Sequence, residues 1–319
     1  MNHVDAVNKA NLIHKRKINK KWKQFIPVYL LALPALLYLL INNYLPLYGM
    51  QIAFRELDYS AGVFGGRFVG FDNFKFLFAT EDAWIMIRNT VLYNLLFIVV
   101  GTVLGLTVAI LFNEIKNKLA RKFFQSAVLI PYVMSMVIVS YIGYAFLSNE
   151  TGFINNSILE PLGIEPVSWY QESKFWPFIL LFFENWKGLG FTVLMNTAFI
   201  MSINDEYYEA AEIDSATKWQ QIRYITLPLL KPVITLMIIL QLGRIFSSDF
   251  GLFYQLPMNS GALYDVTTTI DTYAFRALMK VGDVTMSSAV GVFQSVVGFV
   301  LLVSANAVVR KFNKDNSLF

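Results

Sequence analysis

The chain of 319 residues contains no cysteine, and its two histidines, His3 and His14, lie near its start. A thiol nucleophile, a disulfide, a Ser-His-Asp triad and a His- or Cys-based metal site are therefore excluded from the rest of the chain. The G-x-x-x-x-G-K-[ST] loop, whose backbone amides cradle nucleotide phosphates, is missing as well, so this chain cannot hydrolyse ATP by that route. Charge is scarce at 15% of residues. A carboxylate-only catalyst is not excluded by these absences, but no motif supports one.

What fills the chain is apolar. Hydrophobic residues make up 56% of it and its mean hydropathy is +0.50, more than a soluble domain of this length needs. Windows long enough to cross a hydrocarbon core recur. They predict an all-α polytopic membrane protein with about six spans: Phe25–Leu45, Arg88–Phe112, Phe123–Leu147, Phe175–Ile203, Leu229–Phe246 and Ser287–Val309. Pro131 is expected to kink the third span. Gly101 and Gly105 form a GxxxG pattern that lets helices meet backbone to backbone, within or between subunits. No signal-peptide cleavage site follows the first apolar run, so that run is expected to stay as a helix.

Lysine and arginine set the expected orientation. Seventeen lie in residues 1–24, in 113–122, around 205–231 and in the tail, whereas the intervening loops hold six. The richer face is expected to be cytoplasmic, with both termini on it. The net charge of +4 reflects these anchors, and nucleic acid is not called for as a partner. The expected organisation is a basic cytoplasmic extension over 1–24, a transmembrane domain over 25–312 and a short cytoplasmic tail over 313–319.

Between the fourth and fifth spans lies a polar island, Asp205 to Pro228. Its pattern is that of two short helices. Asn204 or Asp205 can cap the first, with Glu206 and Glu209 near its positive end. A turn follows at Asp214-Ser215-Ala216. Thr217 and Gln220 have the spacing of a capping box for the second helix, which Pro228 is expected to end. A loop that merely linked two spans would not need this order; it reads as a surface held by a partner.

Glu209-Ala210-Ala211, Asp214-Ser215-Ala216 and Ile225-Thr226-Leu227-Pro228 resemble the Glu-Ala-Ala loop of bacterial ABC importer permeases. In that family the loop, here 204–228, carries a coupling helix that sits in a cleft of the ATPase subunit. The family pattern has Gly where this chain has Ser215, a position where a positive φ would strain any other residue. The run Pro46 to Phe54, the run Trp186 to Phe191 and the stretch Ala289 to Gly298 resemble the LplB-type branch, associated with oligosaccharides. Pro46–Ile87 is accordingly expected to be a long outward loop.

The resemblance implies a type I importer permease, a non-catalytic membrane subunit in the bacterial cytoplasmic membrane. It implies a second permease, two ATPase subunits that hold ATP and Mg, and an extracytoplasmic sugar-binding protein. It also implies that Glu209 is the main coupling residue, that Ala210 and Ala211 give close fit, and that Leu227 and Pro228 tie the loop, with Asp214 and Ser215 in its turn, to the fifth span.

Polar groups inside spans are costly in lipid and usually face a cavity. Glu184, Asn185, Trp186 and Lys187 in the fourth span, Gln241 and Arg244 in the fifth, and Tyr144 in the third are the candidates for the substrate path. Glu184 and Lys187 are placed to pair on one helix face. The alternative is structural, since Gln and Asn often bond neighbouring helices and Tyr often marks the membrane interface. Two rival functions remain at this level: an ABC permease for another solute, and an ion-coupled secondary transporter or a scaffold. The internal repeat common in secondary transporters is not seen.

Overall fold

In a computed structural model of the chain, which describes residues 25–58, 60, 62 and 64–312, helices dominate and strand pairing is limited to one bridge, Arg55 with Phe68, among the described residues. The expected segments 1–24 and 313–319 lie outside the described residues. Five helices are long and apolar enough to cross a membrane: α1 Phe25–Phe54, α2 Glu81–Asn113, then Ser173–Ile200, Lys218–Leu242 and Val284–Lys311. A pair, α3 Lys118–Val133 and α4 Met136–Leu147, makes a sixth crossing when taken as one span. We number the later helices α5 (Ser173–Ile200), α6 (Glu206–Ile213), α7 (Lys218–Leu242), α8 (Ile270–Arg276) and α9 (Val284–Phe312).

Local signals explain the boundaries. Thr80 caps α2 by accepting from the Ala83 amide, and Glu81 and Asp82 sit in its first turn, where the helix dipole favours them. At 33 residues α2 is about 50 Å long, well beyond the roughly 30 Å hydrocarbon core, so its ends reach past the bilayer or it tilts. Asn117 caps α3 and Ser135 caps α4.

Two expectations about the spans are corrected. The third span is not kinked at Pro131; it breaks three residues later, at extended Met134 and Ser135, and the two halves lie at 98°. Pro131 leaves one carbonyl without its donor yet is accommodated in the last turn of α3, while Ser135 Oγ accepts from the amide of Ile138 and so starts a new helix. Nor does Pro46 open an outward loop. It occupies the first turn of a tighter helical stretch, Leu45–Phe54, where its missing N–H costs nothing. The chain leaves the helix only at Arg55, after which Phe54, Phe68, Phe71 and Phe74 gather their rings.

Packing centres on α2 and α5. A Cβ at Gly105 would collide with Thr192, so the GxxxG pattern serves a close approach within this chain. Gly190 does the same for α5 against the backbone of Val128 and Leu129 on α3. Tyr93, Val139, Trp176, Phe183 and Phe253 form one apolar centre, and Ala109, Val193, Ile200 and Leu230 a second. No residue of α1 from Phe25 to Tyr48 is buried; at its far end Ala53, with Met50 and Phe54, packs against Ala289 and Val292 of α9.

The stretch between α7 and α9 is irregular, and side chains from neighbouring helices hold it. Asn94 on α2 donates to the carbonyls of Ile245 and Ser247, Asn89 to those of Asp265 and Thr268, and Gln294 on α9 to that of Phe246. Thr90 Oγ1 accepts from the amide of Ile270, and Asp271 takes the Ser248 amide. These bonds occupy Asn94 and Gln294 structurally.

Gly190→Ala is expected to push α3 and α5 apart and cost about 1–3 kcal/mol, seen as a lower unfolding midpoint of the detergent-purified protein. An unchanged midpoint would contradict the backbone contact.

Candidate functional site

The loop between α5 and α7 is a small, self-braced unit. Asp205 precedes α6 but makes no side-chain cap; Asn204 does the work, its Oδ1 accepting from the Glu206 amide at 3.1 Å while its Nδ2 donates to the Glu206 carboxylate. At the other end of α6 the Ser215 amide bonds the Glu212 carbonyl and the Ala216 amide bonds the Ala211 carbonyl. That pair of bonds is a Schellman ending, which needs a left-handed residue at its turn. The residue is Ser215, at φ 56°. Ser therefore takes on the strain that Gly would avoid.

The second half opens with the expected capping box. Gln220 Oε1 accepts from the Thr217 amide at 2.7 Å and Thr217 Oγ1 accepts from the Gln220 amide at 3.3 Å. Lys218 then reaches back to Glu212 at 2.9 Å, and this hydrogen bond holds the Glu212 carboxyl below its usual pKa. Both side chains are well exposed, so the bridge orders the loop more than it stabilises the protein.

Pro228, however, does not end the second helix. Ile222–Thr226 forms a wide turn in which the Leu227 amide bonds the Ile222 carbonyl, five residues back, and the helix runs on through Pro228 to Leu242. The wider turn reassigns the carbonyls that a proline would strand, so the loop and the fifth span become one rod. Tyr208 joins α6 to that rod through its hydroxyl, 2.9 Å from Thr226 Oγ1.

Glu209, Ala210 and Asp214 face outward with Ser215 and Pro228, while Ala211 and Leu227 are half-buried. Among the described residues no ion pair is formed by Glu209. The expectation had not included Tyr207, Ile213, Trp219 and Tyr224, which the fold exposes around it; Ile213 is 84% exposed and Trp219 66%. Large apolar groups bared on an otherwise polar loop mark a surface that binds something. Their presence inside a polar island was the signal available in the sequence.

Of the seven path candidates, three share a cavity. Glu184 and Asn185 on α5 and Gln241 on α7 line a polar cavity of about 100 Å3 with Gly101, Thr102 and Thr192. Asn185 also donates to the Leu181 carbonyl one turn back. The other four are placed elsewhere. Lys187 makes no ion pair with Glu184 among the described residues. Its Nζ donates to the Tyr132 carbonyl at 3.3 Å and lies over the Tyr132 ring, at the end of α3. A cation is favoured at the carbonyl end of a helix, and Tyr132 lies in the last turn of α3. Trp186 packs beside Phe183 and lines an apolar cavity of about 500 Å3 with Phe146, Phe178 and Phe182. Tyr144 meets Tyr170 at 5.7 Å, and Arg244 is exposed just past the end of α7.

The chain as a whole is similar to known proteins. Residues 101–314 match the family described as binding-protein-dependent transport system inner membrane component. Protein LplB of Bacillus subtilis (strain 168) is 31% identical over 90% of this chain and 90% of its own length. The polygalacturonan/rhamnogalacturonan transport system permease protein YteP of the same organism is 31% identical over 98% and 96%. Among solved structures, a chain of a bacterial ABC transporter involved in the import of the acidic polysaccharide alginate superposes with a TM-score of 0.84. It is 31% identical and covers 93% of this chain and 99% of that one.

Ser215→Gly is expected to stabilise the protein by about 1 kcal/mol through relief of the left-handed backbone, read as a raised unfolding midpoint. A lowered midpoint would show that Ser215 makes a contact worth more than its strain.

Proposed function

The chain belongs to the family of binding-protein-dependent transport system inner membrane components, and from that footing we propose that it is the permease subunit of an ATP-driven importer of oligosaccharides. The observation that carries the proposal is the braced, exposed loop 204–228, continuous with a membrane-length helix. A force applied to α6 passes to α7 through the Tyr208–Thr226 bond and the unbroken turn at Pro228, with little slack to absorb it.

The mechanism is alternating access. Two ATPase subunits, which hold ATP and Mg, close on each other and draw the loops of two permeases together, turning the path outward to receive sugar from a binding protein. Their separation after hydrolysis returns the path inward. Glu209 supplies the charge that an ATPase cleft grips, Ala210 and Ala211 let the cleft approach closely, and Ile213 and Trp219 add apolar area that water surrenders on docking. Leu227 and Pro228 pass the motion into α7, with the turn at Asp214 and Ser215 holding the two short helices at a fixed angle. This loop lies on the cytoplasmic side, and the termini with it.

Size and surface support pairing with a second permease. A cavity of about 100 Å3 admits water and single functional groups but not a sugar ring, which supports a path completed by another subunit. Glu184, Asn185 and Gln241 then form this chain's polar share of that path. The apolar helix from Phe25 to Leu47, in which no residue is buried, offers area for lipid and for that partner.

Glu209→Lys is expected to cut ATP-dependent uptake at least tenfold, about 1.4 kcal/mol or more of coupling, with the protein still inserted in the membrane. Normal uptake would remove Glu209 from the coupling role. Trp219→Ala combined with Ile213→Asp should lower the amount of ATPase recovered with the tagged permease from detergent extracts. Unchanged recovery would show that these side chains lie outside the contact.

A further inference from the structure

Beside the loop 204–228, where α2 and α5 end and α3 and α7 begin, lies a cavity of about 440 Å3. Glu114, Lys116, Arg121, Asp205 and Lys218 line it together with Gln221. It shares no residue with the polar cavity at Glu184, and Glu209 does not line it.

Both signs of charge face this cavity, yet they do not pair across it. Lys218 is taken by Glu212, but Glu114, Lys116, Arg121 and Asp205 form no ion pair among the described residues. Arg121 is half-buried, and its guanidinium makes no hydrogen bond to a described residue. At longer range the field of Glu114 reaches Lys218 and that of Lys116 reaches Glu212. The cavity is thus close to charge balance while its two signs stay apart.

Gln221 is the buried end of the lining. It is only 3% exposed, and its Oε1 accepts from Lys218 at 3.0 Å, which orients the amide. Its Nε2 is buried and has no partner among the described residues. A buried N–H without an acceptor is costly, so this amide calls for an oxygen that the chain does not supply. Ile110, Ile200, Met201 and Ile222 add apolar lining at the ends of α2, α5 and α7. Charged groups gathered at the ends of apolar spans put the cavity at the level of lipid headgroups.

A ligand that suits this lining brings an anion and a cation on one short frame. A bare anion would meet two carboxylates, and a neutral polyol would leave the guanidinium without a counter-charge. A phosphate ester joined to a primary ammonium meets both needs. Its oxygens accept from Arg121, Lys116 and the Gln221 amide, and an ammonium has three hydrogens to give to Glu114 and Asp205. The apolar lining suits the glycerol and acyl chains that would follow.

We infer that this cavity binds the headgroup of a zwitterionic aminophospholipid, phosphate toward Arg121 and Lys116 and ammonium toward Glu114 and Asp205. A lipid seated there ties the turn between α2 and α3 to the loop 204–228. The site is independent of what the path carries.

The test uses the full chain together with the subunits that purify with it. The complex is reconstituted in vesicles of phosphatidylethanolamine, phosphatidylcholine and phosphatidylglycerol in equal parts. It is then extracted in mild detergent, and the phospholipids it keeps are counted by mass spectrometry of the intact complex. The wild type is expected to keep phosphatidylethanolamine in preference to the other two. Arg121→Gln should lower that retention about tenfold. Glu114→Gln, at an exposed position, removes a partner of the ammonium and should shift the preference toward phosphatidylglycerol about threefold. The three lipids compete in one sample, so their ratio does not depend on how much protein is folded. If Arg121→Gln does not assemble, the ratio in Glu114→Gln carries the test.

Equal retention of the three lipids by the wild type overturns the site, as do ratios left unchanged in the variants. A wild type that prefers phosphatidylglycerol would make the cavity an anion site and overturns it too. So would soluble phosphoethanolamine that protects the lipid-stripped complex from heat as well as the lipid does, since the cavity would then serve a free phosphate ester.

Discussion

Backbone that leaves the helical path inside a membrane must find hydrogen-bond partners in the protein, because lipid supplies none. This requirement organises the whole structure. The chain breaks at Met134–Ser135 and again between Leu242 and Ile270, and at each break side chains from intact helices meet the freed carbonyls and amides. Asn89, Asn94 and Thr90 on α2 and Gln294 on α9 serve the long break; Lys187 on α5 serves the short one. Each such group buried without a partner would cost several kcal/mol, so these side chains fix where irregular chain is allowed.

The same helices are brought together by small residues rather than by apolar bulk. Lipid tails are as apolar as leucine, so burial alone gives transmembrane helices little reason to associate. Gly105 and Gly190 let α5 approach α2 and α3 closely enough for dispersion contacts to accumulate. Outside the spans, rigidity is obtained differently. The loop 204–228 is braced by a Schellman turn, a capping box, one hydroxyl pair and one exposed bridge, all local in sequence. A transporter of this kind needs a loop that transmits force without deforming.

Legibility in the sequence followed the range of the interactions. The loop's two helices and its Thr217–Gln220 box could be read directly, since a cap depends on residues three positions apart. Span number could be read from hydropathy. Proline misled twice in the same way: Pro131 and Pro228 signal a missing donor, but neighbouring turns decided where its effect was felt, at Ser135 in one case and nowhere in the other. The polar candidates divided on contacts that sequence spacing does not carry. Lys187 is three residues from Glu184, yet it serves a carbonyl 55 positions away, while Gln241 comes to Glu184 from another helix. The apolar residues bared around Glu209 were visible as letters, but their exposure was not.

By itself, the sequence determined the class of molecule, the number of its crossings and the ordered loop with Glu209 at its surface, because these depend on composition, on the length of apolar runs and on hydrogen bonds between near neighbours. Only the tertiary structure decided which intramembrane polar groups face a cavity and which mend broken backbone, and where the third span turns. Those outcomes depend on groups from distant parts of the chain competing for the same few partners, and that competition is settled only when the helices are packed.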